Sequence, residues 1–90
     1  MELEFKTDEI NFLDNTTGEL MGSYKVAETP EAYWEHKNKP MYSIFYYDEY
    51  GNPPSISKKG FDTKEEAREE MVKLAMELLK GGLKWNFKLM

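Results

Sequence analysis

The sequence predicts an α+β fold in which an antiparallel sheet of about five strands packs one face against a single amphipathic helix, in the order β-β-β-β-α-β. Two observations near the end of the chain carry this prediction. Residues 63–80 place apolar side chains at helical spacing behind an N-terminal capping signal. Residues 83–89 then alternate apolar and polar side chains, as a strand with one wet face does. The length of 90 residues predicts one domain, residues 1–90.

The chain is predicted to open in a strand. Leu3 and Phe5 alternate with charged neighbours, which is the period-2 pattern of a sheet strand. Residues 7–9 interrupt the alternation as a turn or a bulge, and Ile10 and Phe12 resume it. We therefore expect one strand region with a local irregularity.

A hairpin with a longer loop is predicted next. Residues 14–18 are a cluster of turn-forming residues with glycine at its end, and residues 19–27 alternate again as the returning strand. Gly22 lies on the inner side of that strand. It would leave room there for an aromatic ring or mark a bulge.

The middle of the chain predicts a surface connection followed by a second strand pair. Residues 28–40 are irregular and contain two prolines. Residues 41–48 are apolar on both faces, so we predict a central strand, or one whose second face is covered by the 28–40 connection. A turn over residues 50–54 leads to a short strand over residues 55–60.

The helix has sequence signals at both ends. Thr63 and Glu66 have the spacing of a capping box, in which the threonine hydroxyl accepts a hydrogen bond from the amide three residues later. Gly81 and Gly82 are predicted to end the helix. The alternating segment 83–89 would then return to the sheet as its last strand.

Composition narrows the classes of function. The chain has no cysteine, which excludes disulfides, thiolate catalysis and cysteine-based zinc sites. No stretch has the roughly 20 apolar residues of a membrane span, and the acidic start does not resemble a signal peptide, so we expect a cytoplasmic protein. The net charge is −5, and residues 1–35 carry nine acids against two lysines. This acidity counts against nucleic acid as the main partner.

The sequence predicts no enzyme and no cofactor. His36 is the only histidine, and it lies in a lysine-rich connection where a solvated surface role is expected. The paired acids are adjacent in sequence, and adjacency does not make two carboxylates converge in a cleft. We therefore predict no catalytic, cofactor-binding or metal-binding residue.

Aromatic residues give the clearest candidate surface. A single helix covers one face of a sheet, so the aromatics on the other face are left for binding or for packing under the 28–40 connection. The candidate partner-binding residues on that face and beside it are Phe45, Tyr47, Tyr50, Lys58 and Lys59.

Carboxylates of the acidic N-terminal third form a second candidate set. Some of them should project from one face of the N-terminal hairpin. The candidates are Glu2, Glu4, Glu19 and Glu28. They would either recognise a partner by presenting negative charge or serve only to keep the protein in solution.

Residues 41–79 resemble the arm-type, AP2-like DNA-binding domain at the N-terminus of tyrosine integrases. The resemblance lies in the aromatic strand 42–47, the turn at Gly51, and the junction 60–67 that opens the helix. It implies a sheet that enters the major groove of double-stranded DNA with the helix packed behind it. The residues of this chain that would make such contacts are Ser43, Phe45, Tyr47, Lys58 and Lys59.

The sequence thus favours a small acidic protein-interaction module without enzymatic activity. The 11:1 ratio of lysine to arginine is typical of accessory proteins from AT-rich phages or mobile elements. An inhibitor acting by carboxylate mimicry is a special case of this hypothesis. Double-stranded DNA binding is the alternative, and pairing of copies through an exposed strand edge, either 83–89 or 41–48, is a third possibility.

Overall fold

The computed structural model describes the backbone of residues 1–89 and the side chains of residues 1–80. It contains five strands followed by one α-helix, with a short 3-10 helix at Glu31–Tyr33 between the third and fourth strands. The elements are β1 (Glu2–Lys6), β2 (Glu9–Leu13), β3 (Leu20–Glu28), β4 (Tyr42–Asp48), β5 (Ser55–Phe61) and α1 (Lys64–Leu89).

The five strands form one antiparallel sheet in the order β1-β2-β3-β4-β5. The predicted α+β class and the number of strands are confirmed. The predicted order β-β-β-β-α-β is wrong, because all five strands precede the helix.

The start of the chain forms two strands, β1 and β2, where the sequence predicted one strand with an irregularity. Thr7 and Asp8 form a two-residue turn, so that Phe5 pairs with Ile10 and Leu3 pairs with Phe12. The apolar pattern explains this reversal of the chain, because apolar residues lie at odd positions up to Phe5 and at the even positions of Ile10 and Phe12. A reversal of the chain puts both sets on one face of the sheet, whereas a single straight strand would put them on opposite faces.

The helix begins as predicted and continues further than predicted. The hydroxyl of Thr63 accepts a hydrogen bond from the amide of Glu66 at 3.2 Å, which is the expected N-terminal cap. The helix does not end at Gly81, and it runs to Leu89, so the predicted strand 83–89 is absent. Glycine costs a helix about 1 kcal/mol relative to alanine but keeps its amide donor. Short alternating apolar runs also do not by themselves separate strand from helix.

The hydrophobic core lies between the sheet and the first half of α1. Its buried members are Ile10, Phe12, Val26, Ile44, Ala67, Met71 and Ala75. Tyr24 stands edge-on to Phe12 and to Tyr46, with ring centroids 5.3 and 5.6 Å away. Burial raises the pKa of the Tyr24 hydroxyl. The small residues of the helix let its axis approach these rings closely.

Two extra residues on β5 decide which way its lysines point. Gly60 has a φ of +93° and is the additional residue between the pairs Tyr42–Phe61 and Ser43–Lys59. Glycine adopts this φ without steric cost, and such residues mark bulges. Ser57 is the second additional residue, between the pairs made by Ile44 and Phe45.

Candidate functional site

The sheet has one face toward α1 and one face without a helix, which we call the open face. The strand register puts alternating residues of all five strands on it. From β1 to β5 these residues are Glu2, Glu4, Lys6, Glu9, Asn11, Leu13, Leu20, Ser23, Lys25, Ala27, Ser43, Phe45, Tyr47, Ile56 and Lys59.

Apolar side chains lie together on the β4 and β5 side of the open face. Phe45 pairs with Ile56 across the two strands, and Tyr47 lies two residues further along β4. Phe45 and Tyr47 are partly exposed, and Ile56 is exposed. We call these three residues the aromatic strip. Aromatic rings with a polar group at one end are enriched at protein interfaces.

Lys25 connects the aromatic strip to the β1–β2 side of the open face. Its ammonium group lies 4.7 Å from the centroid of the Tyr47 ring and 3.3 Å from a carboxylate oxygen of Glu9. A cation over a tyrosine face is attracted to the ring and limits its rotation. The contact therefore favours the observed orientation of the Tyr47 ring.

Small polar residues form the floor of the same face. Ser23 and Asn11 are buried between the larger side chains around them. The amide of Asn11 donates to Glu4 at 2.8 Å, and Lys6 approaches the same carboxylate at 3.9 Å. The predicted residue Glu4 is thus tied to its neighbours on the sheet.

The connection between β3 and β4 covers only one end of the open face. The hydroxyls of Thr29 and Ser43 share a hydrogen bond of 2.6 Å, and the indole of Trp34 donates to the carbonyl of Thr29 at 2.6 Å. Ser43 is fully buried as a result. The ammonium of Lys59 lies 5.9 Å from the ring centroid of Tyr33, at the rim of this cover. Phe45 and Tyr47 lie beyond it.

One of the predicted partner-binding residues, Lys58, does not lie on the open face. It points to the helix side, where its ammonium is 2.6 Å from Glu70 and holds the pKa of that carboxyl below its usual value. Regular alternation is the reason, because Lys59 pairs with Ser43 on the open face and Lys58 pairs with Ile44 on the helix side. Tyr50 lies in the β4–β5 turn, as predicted, and is 79% exposed.

The same turn is built around one carboxylate. Asp48 accepts hydrogen bonds from the amides of Tyr50 and Asn52 and from the side chain of Asn52. The Asn52 side chain contributes most to keeping the pKa of Asp48 low. The Glu49 carboxylate raises the pKa of Tyr50 through a hydrogen bond.

The four candidate carboxylates do not form one cluster. Glu2 and Glu4 lie on the open face of β1. Glu19 follows the β2–β3 loop, and Glu28 ends β3 at its other end, about 30 Å away at the usual rise of a strand. Glu28 also pairs with Tyr42, whose side of the sheet faces the helix. Glu2 and Glu4 are the two candidates that the register places together on the open face.

Sequence reasoning placed Lys25 on the outer face of its strand but did not include Lys25, Asn11 or Ile56 in the candidate site. Each lies next to a predicted residue only through strand pairing, so its position depends on a register that the sequence did not reveal. A one-residue bulge is enough to exchange the faces of such residues.

Within the described side chains, no group of three or more histidine, aspartate or glutamate residues is arranged to hold a metal ion. None of the described helical residues provides a stretch long and apolar enough to cross a bilayer. Comparison with protein-family models, curated proteins and solved structures found no match to the chain.

Proposed function

We propose that this protein is a non-enzymatic interaction module that binds another protein through the open face of its sheet. The observation that supports the proposal best is the aromatic strip. Phe45, Tyr47 and Ile56 keep exposed apolar surface on a face that neither α1 nor the β3–β4 connection covers. Aromatic residues in such positions supply most of the energy of many interfaces.

The charges around the strip indicate the kind of partner. The open face carries three glutamates (Glu2, Glu4, Glu9) and three lysines (Lys6, Lys25, Lys59), with all three glutamates on the β1–β2 side. A partner surface with both signs of charge and an apolar centre fits this arrangement. An inhibitor that mimics nucleic acid is the narrower form of the proposal. Its support is reduced to the two carboxylates Glu2 and Glu4, which share the face.

The proposal is tested by comparing what the wild type and a strip variant retain from a lysate of the source organism. Phe45→Thr/Tyr47→Thr removes the rings while keeping residues that suit a strand. We expect at least a tenfold loss of the retained partner, measured by quantitative mass spectrometry. Tyr33→Ala is the matched control, because Tyr33 is an exposed aromatic outside the strip. Equal retention by wild type and the strip variant would contradict the proposal.

Double-stranded DNA binding is the second candidate. Lys25 and Lys59 share the open face with the aromatic strip, which favours it. Two of the residues that the integrase resemblance assigns to DNA contact are not free for it, however, because Ser43 is buried and Lys58 is paired with Glu70. A titration with duplex DNA at low salt tests this candidate. Phosphate-driven binding should weaken steeply as the salt concentration rises, and absence of binding at low salt would exclude it.

A further inference from the structure

The helix side of β1 has an apolar side chain, Phe5, that the described part of α1 leaves exposed. The main contacts of α1 with the sheet are to β2, β3, β4 and β5. Five strands span about 19 Å at the usual spacing, whereas a helix with its side chains is about 10–12 Å wide. Leu3 and Phe5 of β1 share the helix side with Ile10 and Phe12, yet Phe5 remains 56% exposed.

Two contacts show how α1 runs relative to β1. Arg68 forms an ion pair with Asp8 in the β1–β2 turn, with 2.5 Å between its Nε and the carboxylate. Leu78 lines a cleft together with Met1, just before the start of β1. The helix therefore runs antiparallel to β1, from the turn toward the beginning of the strand.

Val72 follows Arg68 by one helical turn, on the side of α1 that flanks β1, and is 40% exposed. On the helix side of β1, Leu3 is partly buried against the core and Phe5 is exposed. We call Leu3, Phe5 and Val72, the apolar groups along this side of β1, the β1 shelf. Exposed apolar groups gathered in one place are characteristic of binding sites.

The backbone of β1 is also free on its outer edge, since β1 is the first strand of the sheet order. Its two-residue turn makes Lys6 and Glu9 a hydrogen-bonded pair, and hydrogen-bonded pairs alternate with non-hydrogen-bonded pairs along an antiparallel ladder. Leu3 and Phe5 belong to the non-hydrogen-bonded pairs, so their amide and carbonyl groups point away from β2. They are available to an added strand.

The other edge of the sheet is much less suited to this. β5 is interrupted by the extra residues Ser57 and Gly60 and is preceded by Pro53 and Pro54. Bulges and prolines prevent continuous pairing with another chain. β1 has no register shift against β2 and contains no proline.

We propose that the edge of β1 and the β1 shelf together bind an extended segment of a partner protein in which basic and apolar residues alternate. The segment pairs with the outward backbone groups of Leu3 and Phe5. Its apolar side chains cover the β1 shelf, and its basic side chains lie on the open-face side beside Glu2 and Glu4. This binding site is separate from the aromatic strip and goes beyond the proposed function.

The test uses a synthetic peptide of sequence Lys-Val-Lys-Phe-Lys-Val-Lys, capped at both ends, and the isotope-labelled full chain. Amide spectra and hydrogen exchange are recorded during titration. The expected result is binding with slowed exchange of the Leu3 and Phe5 amides, because these donors become paired. A peptide with glutamate in place of every lysine should bind much more weakly.

Matched variants separate the two contributions. Glu2→Lys should weaken binding of the basic peptide roughly two- to five-fold, as expected for an exposed charge pair, whereas Glu31→Lys should not change it. Phe5→Thr should weaken it about tenfold, whereas Ile56→Thr, which alters the opposite edge, should not.

Several results would overturn the proposal. One is the absence of any spectral change at a peptide concentration of about 1 mM. Others are changes confined to β5 or the aromatic strip, or equal binding of the acidic peptide. A free protein that is already a dimer paired through β1, detected by light scattering and by protected Leu3 and Phe5 amides, would show that a second copy occupies the site.

Discussion

Replacing Gly22 by alanine should destabilise the fold, because there is no room for a methyl group at this position. Gly22 is buried on the helix side of β3. A Cβ added there would lie 2.8 Å from the hydroxyl oxygen of Tyr46, 3.3 Å from its Cζ and 3.0 Å from the backbone oxygen of Tyr47. The glycine on the inner side of this strand, predicted to leave room for a ring, does so for Tyr46.

The size of the effect follows from two opposing contributions. Tyr46 can shift only at the expense of its edge-to-face contact with Tyr24, and the Tyr47 carbonyl belongs to the backbone of β4. Overpacking of this kind costs about 1–3 kcal/mol. Alanine restricts the unfolded chain and returns about 0.4–1 kcal/mol. The net loss in free energy of unfolding should be about 1–2 kcal/mol.

Thermal and urea unfolding followed by circular dichroism measure this loss. For a domain of this size, each 1 kcal/mol lowers the melting temperature by about 4–8 °C. The same substitution made in a Tyr46→Phe background is the control, because that variant lacks the oxygen that comes closest. The cost of Gly22→Ala should be smaller there by at least about 0.5 kcal/mol.

A Gly22→Ala protein that melts at or above the temperature of the wild type would refute the packing argument. So would an equal cost in the Tyr46→Phe background, since the hydroxyl would then not be the group that is displaced.

Three further changes test other parts of the structure. Asp8→Asn removes the ion pair with Arg68, and this pair lowers the pKa of Asp8 in the folded state. The pair therefore stabilises the fold above the unfolded pKa of about 3.9. The difference in urea midpoint between wild type and variant should disappear as the pH falls below about 4. Thr29→Val leaves the buried hydroxyl of Ser43 without its partner and should lower the free energy of unfolding by about 1–3 kcal/mol. The double variant Thr29→Val/Ser43→Ala should recover much of this stability in the same unfolding assay, because it removes the unpaired hydroxyl. Met71→Ala empties space in the core and should cost about 2–5 kcal/mol in urea unfolding, and a cost below 1 kcal/mol would contradict the placement of Met71.

The candidate site was predictable in part. The even and odd positions of residues 42–47 identified Phe45 and Tyr47 as one face of a strand, and the structure keeps them together on the open face. Lys58 and Lys59 were both assigned to this surface, although neighbours on a strand point to opposite faces. The structure separates them in this way, with Lys58 paired to Ile44 and Lys59 paired to Ser43. The bulge at Gly60 decides which of the two lies on the open face, and local patterns do not reveal a bulge because it depends on the pairing partner.

The sequence by itself determined the α+β class, the alternation within each strand and the Thr63 cap. These features depend on neighbours within a few residues along the chain, and their chemistry can be read directly from side-chain size and spacing. The pairing of β3 with β4 decided that Tyr46 fills the space above Gly22. Only the tertiary structure decided that residues 7–8 reverse the chain into a hairpin, that the helix continues to Leu89, and that β1 extends beyond the cover of α1. Those outcomes depend on which surfaces come together across the whole domain, and several chain paths satisfy the same local pattern.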